Sequence, residues 1–197
     1  MRKSLLLHTC CAPCIAYLYE LLSSSYNVIA YFYNPNIAPK SEYKKRLNEL
    51  IGFTKMKGFE LSIGEYDVTK WTSFVKQYRF DGERSERCWR CYEYRLENTF
   101  NFAKKNMIGI VGTALSISPH KDAGKINSIG KKLEHKYGIE FLEADFKKKD
   151  GYKKSVELSK KYDFYRQDFC GCIYSKMERE KRSLWHKEYQ KRNESFK

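Results

Sequence analysis

The sequence predicts an α/β protein built on a mainly parallel, five-stranded sheet with helices on both faces and a helical, basic C-terminal region. Strand-length apolar runs alternate with segments of helical apolar spacing nearly throughout. The intervening helices are long enough to cross from one parallel strand to the next. At 197 residues the chain fits one α/β domain over 1–197, the C-terminal extension included, and 42% hydrophobic with 16% aromatic residues argues for a packed core and against disorder.

The elements follow in order. "KSLLLHT" and "NVIAYFYNP" are two strands, and "IAYLYELLSSS" between them has helical spacing. After the turn "NPNIAP", "SEYKKRLNELIGFTKMKG" reads as an amphipathic helix, with Ser41 placed to cap its start and Gly58 to stop it. "FELSIGEYD" is a third strand, "WTSFVKQYRF" a short helix, and a longer helix begins near "CWRCYEYRLENTFNFAKKN". "MIGIVGTALSIS" gives the fourth strand, "AGKINSIGKKLEHKYG" a helix closed by Gly138, and "IEFLEADF" the fifth strand. "DFKKKDGYKK" reads as a solvated charged loop, and no internal repeat or low-complexity linker is evident. Sheets of this kind bind ligands beyond the carboxyl ends of their strands, where "HTCCAPC" follows the first strand and "SISPHKD" the fourth.

Thirty-eight Lys+Arg against twenty-four Asp+Glu give a net charge of +14, which favours a polyanionic partner, nucleic acid above all, without separating RNA from DNA. No apolar run approaches transmembrane length, so a membrane is the weaker alternative. "MRKSLLLHTC" superficially resembles a lipoprotein leader, but its apolar part is only Leu5 to Leu7. The expected compartment is the cytoplasm, where an odd set of seven cysteines in tight groups points to metal or redox chemistry, not disulfides.

The groups are Cys10/Cys11/Cys14, Cys88/Cys91 and Cys170/Cys172. A C-x-x-C at a helix start lets two sulfurs converge on one metal, aided by the positive helix terminus. In "CGC" the outer residues point the same way on extended chain, and Gly171 allows a tighter turn. Adjacent cysteines on extended backbone diverge, so Cys10 and Cys11 suit a multi-atom cluster or two neighbouring centres better than one tetrahedral zinc. Four thiols could hold a [4Fe-4S] cluster, leaving three for a second metal or for catalysis. Buried structural cysteines are the bland alternative. A four-thiolate zinc site from "CWRC" and "CGC" is the stronger rival, but it leaves "CCAPC" unexplained.

"HTCCAPC", "YFYNPNIAP", "ERCWRCYEYRL", "TALSISPHKD" and "DFCGCIYS", in this order over nearly the whole chain, closely resemble the cobalamin-independent, QueH-type epoxyqueuosine reductases. The resemblance implies reduction of the epoxide of epoxyqueuosine, at the wobble position of a tRNA anticodon, to queuosine. It also implies a [4Fe-4S] cluster beside a second, iron-type metal, on an adenine-nucleotide α-hydrolase-like (HUP-like) fold. Relatives of that fold carry "SGGxDS" after the first strand to cradle pyrophosphate. "HTCCAPC" stands there instead, so ATP use is not expected.

On this reading Cys10, Cys11, Cys88 and one of Cys91 or Cys170 hold the cluster, and the remaining thiols, Cys14 and Cys172 among them, serve the second metal, with a carboxylate as a possible further ligand. Asp168 and Asp122 are candidate ligands or proton donors, with helix capping or the surface as the alternative, and His120 is a candidate donor to substrate or cluster sulfur. His8 orients the first loop, His135 and His186 are surface residues, and Ser116 and Ser118 are candidate substrate contacts. For RNA, Tyr33, Trp89, Tyr92 and Tyr165 are candidate stacking residues, and Arg87, Arg90, Lys147, Lys148, Lys149 and the C-terminal "EREKRSLWHKEYQKR" candidate phosphate contacts. The electron donor is unidentified. A tRNA sulfur transferase and a zinc-bearing RNA-binding module are the rivals; the first needs an ATP loop, absent from the sequence, and the second predicts colourless protein without a redox signal.

Overall fold

The computed structural model describes residues 2–194, with side chains through Leu184. Five strands form one all-parallel sheet in the order β3-β2-β1-β4-β5: β1 (Lys3–His8), β2 (Tyr26–Phe32), β3 (Leu61–Ile63), β4 (Ile110–Thr113) and β5 (Glu140–Phe141). Among the described residues seven α-helices accompany them: α1 (Ala12–Leu22), α2 (Lys40–Lys57), α3 (Val68–Val75), α4 (Glu86–Lys105), α5 (Ala123–Tyr137), α6 (Gly151–Lys161) and α7 (Ile173–Glu194). This is the parallel five-stranded α/β architecture expected from the sequence.

Side-chain alternation in the central strands builds two cores. Leu5, Leu7, Val28, Ala30 and Phe32 pack on one face with Ile15 and Leu18 of α1 and Leu50 and Phe53 of α2. Leu6, Ile29, Tyr31 and Val111 pack on the other with Leu96 and Phe100 of α4 and Ile126 and Leu133 of α5. Continuous apolar runs in β1 and β2 are what a parallel strand buried on both faces requires. α5 approaches β5 so closely that a Cβ on Gly130 would lie 2.2 Å from Phe141 Cε1.

Several boundaries differ from the sequence expectation. The edge strands β3 and β5 shrink to three and two residues, in keeping with the short edges that discourage sheet-to-sheet pairing. β4 stops at Thr113, whose side chain accepts from the Leu115 N–H as the chain winds into a 3₁₀ turn over Ala114–Ile117. Ser41 lies inside α2, whose N-cap is Pro39, while Gly58 and Gly138 do close their helices in left-handed conformation. "DFKKKDGYKK" is only partly a solvated loop: Phe146 is buried and α6 begins at Gly151.

Because β1 neighbours β2 on one side and β4 on the other, the chain reverses its winding between β1 and β4. The carboxyl ends of those two strands therefore mark the topological switch point of the sheet.

Candidate metal centre

At that point His8, the last residue of β1, is fully buried and ties three strands together. Its Nε2 lies 3.2 Å from the Tyr33 carbonyl, which only accepts, so Nε2 carries the proton; Nδ1 then accepts from Thr113 Oγ1 at 3.0 Å. Burial, reinforced by the Arg95 charge, pushes the imidazole down to about 3 and keeps it neutral. Asn34 adds a second tie, its amide donating to the Thr9 carbonyl at 2.8 Å. The loop that follows is thus held firmly.

That loop presents Cys10, Cys11 and Cys14, all buried, with their sulfurs mutually within 4.8 Å. Cys10 Sγ lies 3.8 Å from Cys11 Sγ and 3.7 Å from Cys14 Sγ. The expectation that neighbouring thiols diverge is corrected here. The strand ends at His8 and the backbone bends at Cys10 before α1 begins at Ala12, so it does not run on extended through both residues. Tetrahedral thiolate coordination at about 2.3 Å places sulfurs roughly 3.8 Å apart, so the separations of Cys10 from Cys11 and from Cys14 suit ligands of a single ion. The thiol hydrogens of Cys11 and Cys14 stabilise the Cys10 thiolate, and with Lys121 and Arg95 they outweigh burial, holding its pKa well below the usual thiol range. Burial pushes Cys11 up to about 12, and the Gln167 amide donates to its sulfur at 3.4 Å.

The other four thiols form a looser group. Cys88 sits in the first turn of α4 with Cys91 one turn on, and Cys172 lies just before α7, where the Ser175 N–H donates to its sulfur at 3.4 Å. Burial raises Cys88, Cys91 and Cys172 alike, and the charge of Cys170 adds to the rise in each. Cys91 and Cys172 share an apolar cluster with Trp71 and Val75. Gly171, between Cys170 and Cys172, has φ of +119°, and a Cβ there would lie 3.1 Å from Arg46 Nη1 and 3.2 Å from Ile37 Cγ1. Gly171→Ala is therefore expected to lower stability by about 1–3 kcal/mol, read by urea unfolding of the metal-free protein.

Three cations converge on the thiols. Arg46, buried, pairs with Glu42 at 2.7 Å and donates to the Cys170 and Phe169 carbonyls at 3.3 and 3.4 Å, fastening "FCGC" to α2. Arg95 is fully buried and donates to Asn34 Oδ1 at 2.5 Å; it has no carboxylate partner among the described residues, and its Nε has no hydrogen-bond partner. Burial disfavours the Lys121 ammonium, but Cys170, Cys10 and Cys14 outweigh it and raise its pKa above the ordinary lysine value. Trp71 Nε1, also buried and unpartnered, adjoins Cys91. Buried cations without carboxylates need another anion close by. Thiolates, or a metal centre that they bind, are the anions this site can supply.

Above the thiols opens a cavity of about 430 Å³, within the range of small-molecule sites. One cysteine from each group lines it: Cys14, Cys88 and Cys170. The three sequence groups do converge.

The remaining candidates divide. His120 and Asp168 stand exposed on the cavity wall, Asp168 paired with Arg179, and Ser118 also lines it. Tyr92 lines the cavity but is buried. Asp122 is corrected to a helix cap: its carboxylate accepts from the Lys125 N–H at 3.0 Å at the start of α5. Ser116 is buried and accepts from the Phe146 N–H at 3.5 Å, so it too is structural. Arg87 is buried against Glu178 at 2.6 Å, and Tyr33 is buried beside Tyr31 and Tyr94; neither is placed to contact RNA. Trp89 and Arg90 line a separate groove between α4 and α5, where Lys125 Nζ lies 4.3 Å from the Trp89 ring and Arg90 pairs with Glu86 and Glu93 at 2.9 Å each. Tyr165 donates to Glu42 at 3.1 Å. Lys147 pairs with Asp145 at 3.1 Å, while Lys148 and Lys149 are exposed. His135 is exposed, and the His186 side chain lies outside the described residues. Sequence reasoning missed Arg46, Arg95, Lys121 and Gln167. Lys121 stood between two residues it did single out, and Arg95 lies one turn beyond Cys91 on α4.

Known proteins resemble this chain on two levels. A solved structure of a predicted subunit of tRNA methyltransferase from Methanocaldococcus jannaschii matches with a TM-score of 0.52 at 14% identity, covering 78% of this chain and 76% of that one, a likeness of fold alone. An epoxyqueuosine reductase QueH of Thermotoga maritima is 39% identical over 182 residues, covering 89% of this chain and 92% of the relative. The same-named protein of Streptococcus pyogenes serotype M1 is 37% identical over 182 residues, covering 89% and 71%. The family model described as epoxyqueuosine reductase QueH matches residues 5–178, a span that takes in all seven cysteines, and the chain belongs to that family.

Proposed function

We propose that this chain is an epoxyqueuosine reductase that removes the epoxide oxygen from the modified base in a tRNA anticodon, using a [4Fe-4S] cluster and a second metal ion. The observation that carries the reading is the meeting of three distant cysteine groups at one cavity on the switch point of the sheet. Loss of the oxygen as water, leaving an alkene, consumes two electrons and two protons per turnover. An external donor must supply the electrons.

The donor set fits these groups. The tight spacing of Cys10, Cys11 and Cys14 suits a single ion, and this revises the earlier assignment of Cys10 and Cys11 to the cluster. Cys88, Cys91, Cys170 and Cys172 would then supply the four thiolates of a cluster. When bound, the pair would supply single-electron relay and a Lewis acid for the epoxide oxygen. The chain's own groups do the rest. Arg95, Arg46 and Lys121 neutralise thiolate charge, Gln167 orients the Cys11 sulfur, and Lys121, on the cavity wall, would hold the departing oxygen with its ammonium and pass it a proton. His120 on the wall is the candidate for the second proton. The basic surface serves the RNA.

The test is anaerobic incubation of iron-reconstituted protein with reductant and tRNA carrying epoxyqueuosine, followed by nucleoside mass analysis. Queuosine is the expected product. Full activity in a protein holding only zinc would sink the reading, as would unchanged substrate beside a fully loaded cluster. Lys121→Met, compared with wild type at equal iron content, is expected to lose at least about a hundredfold in rate, the low end of what a positioned acid contributes.

A further inference from the structure

Resting on the reductase reading, we propose that a single-stranded RNA loop docks on the mouth of this cavity with one unstacked base on the Phe80 ring and its phosphates on Arg84, Arg166 and Arg182. Phe80 is 86% exposed on the loop between α3 and α4. An exposed apolar residue alone is ordinary. This one has the Arg79 guanidinium 4.4 Å from its ring and belongs to the loop that continues through Glu83 and Arg84 into the cavity wall.

The charges at the mouth are unbalanced. Arg84 donates to the Pro119 and His120 carbonyls, Arg166 to the Ser159 and Tyr152 hydroxyls, and Arg182 to the Glu178 carbonyl. None of the three has a carboxylate partner among the described residues. The carboxylates on the same wall are Glu83, which accepts from Ser175, and Asp168, which Arg179 occupies. Three arginines that make no ion pair among the described residues, around a concave opening, form an anion-binding rim, and the exposed aromatic four residues before Arg84 adds a face for a base. Duplex RNA keeps its bases stacked, so an aromatic platform selects a single-stranded loop. The stacking and phosphate roles given above to Tyr33, Tyr92 and Arg87 thus pass to this rim.

The test is fluorescence anisotropy of the full-length protein with an anticodon stem-loop RNA over a series of salt concentrations. Phe80→Ala is expected to weaken binding about tenfold with an unchanged slope of log affinity against log salt, and Phe80→Trp to restore it. Arg166→Gln and Arg182→Gln are each expected to flatten that slope by about 0.7. Thermal melting checks that every variant is folded. Wild-type protein that binds no RNA overturns the reductase reading itself. Wild-type protein that binds and reduces its substrate, while Phe80→Ala binds as tightly and the arginine variants keep the full slope, overturns this proposal alone. Equal affinity of wild type for a duplex of the same length also overturns it.

Discussion

Cys14→Ser protein, reconstituted anaerobically, is expected to lose about one of roughly five irons per chain, to keep its acid-labile sulfide, and to reduce substrate at least about a hundredfold more slowly. Serine is a poor ligand for a thiophilic ion, and Cys14 sits 3.7 Å from Cys10 within the tight triad. On the proposed division, a cluster held by Cys88, Cys91, Cys170 and Cys172 would lose no ligand. Cys172→Ser is the complement: acid-labile sulfide and most of the iron should go together, because it breaks the four-thiol group. Iron and sulfide quantitation, with electron paramagnetic resonance of the reduced protein, reads both. Equal loss of sulfide in the two variants would show that the division between a three-thiol and a four-thiol centre is wrong.

How much of this was legible beforehand depends on whether the signal was local. β1 and β2 show as continuous apolar runs, and Gly58 and Gly138 sit where helices stop, because those constraints act over a few residues. Each cysteine group likewise announces itself by spacing, and the topology rule puts the first beyond β1. What spacing cannot give is how closely the sulfurs of residues 10–14 approach one another, since that is set by the bend of the backbone at Cys10. Asp122 illustrates the ambiguity of type: a carboxylate before a helix reads equally as ligand or cap, and its bond to the Lys125 N–H settles the matter. Arg87 and Arg95 were hidden differently. On a helix as charged as α4 a buried arginine looks like any other, although Cys88, Cys91, Arg95 and Thr99 follow the three-to-four residue period of one face. The short edge strands reflect tertiary context that β propensity does not encode.

Arg95→Met is expected to change stability with opposite sign in the metal-free and metal-loaded protein. Without metal, burial holds the Cys91 thiol above its ordinary pKa and hence protonated, so the fully buried Arg95 keeps the Asn34 amide and the Cys10 thiolate but lacks countercharge from Cys91. Removing an incompletely paired buried charge and filling its space with an apolar side chain leaves stability unchanged or raises it, by up to about 2 kcal/mol. Metal binding displaces the thiol protons, and Arg95 then faces thiolate on Cys91 with Cys170 nearby. Its loss should cost about 10- to 100-fold in iron retention against a chelator, the usual effect of removing a group that supports the ligands. Arg95→Lys, shorter but still cationic, should recover part of that retention without the gain in metal-free stability. Urea unfolding of the metal-free variants and chelator competition on the loaded ones separate the two effects. If Arg95→Met destabilised the metal-free protein by several kcal/mol and left iron retention untouched, the guanidinium would be a structural member of the core and not the countercharge of the metal centre.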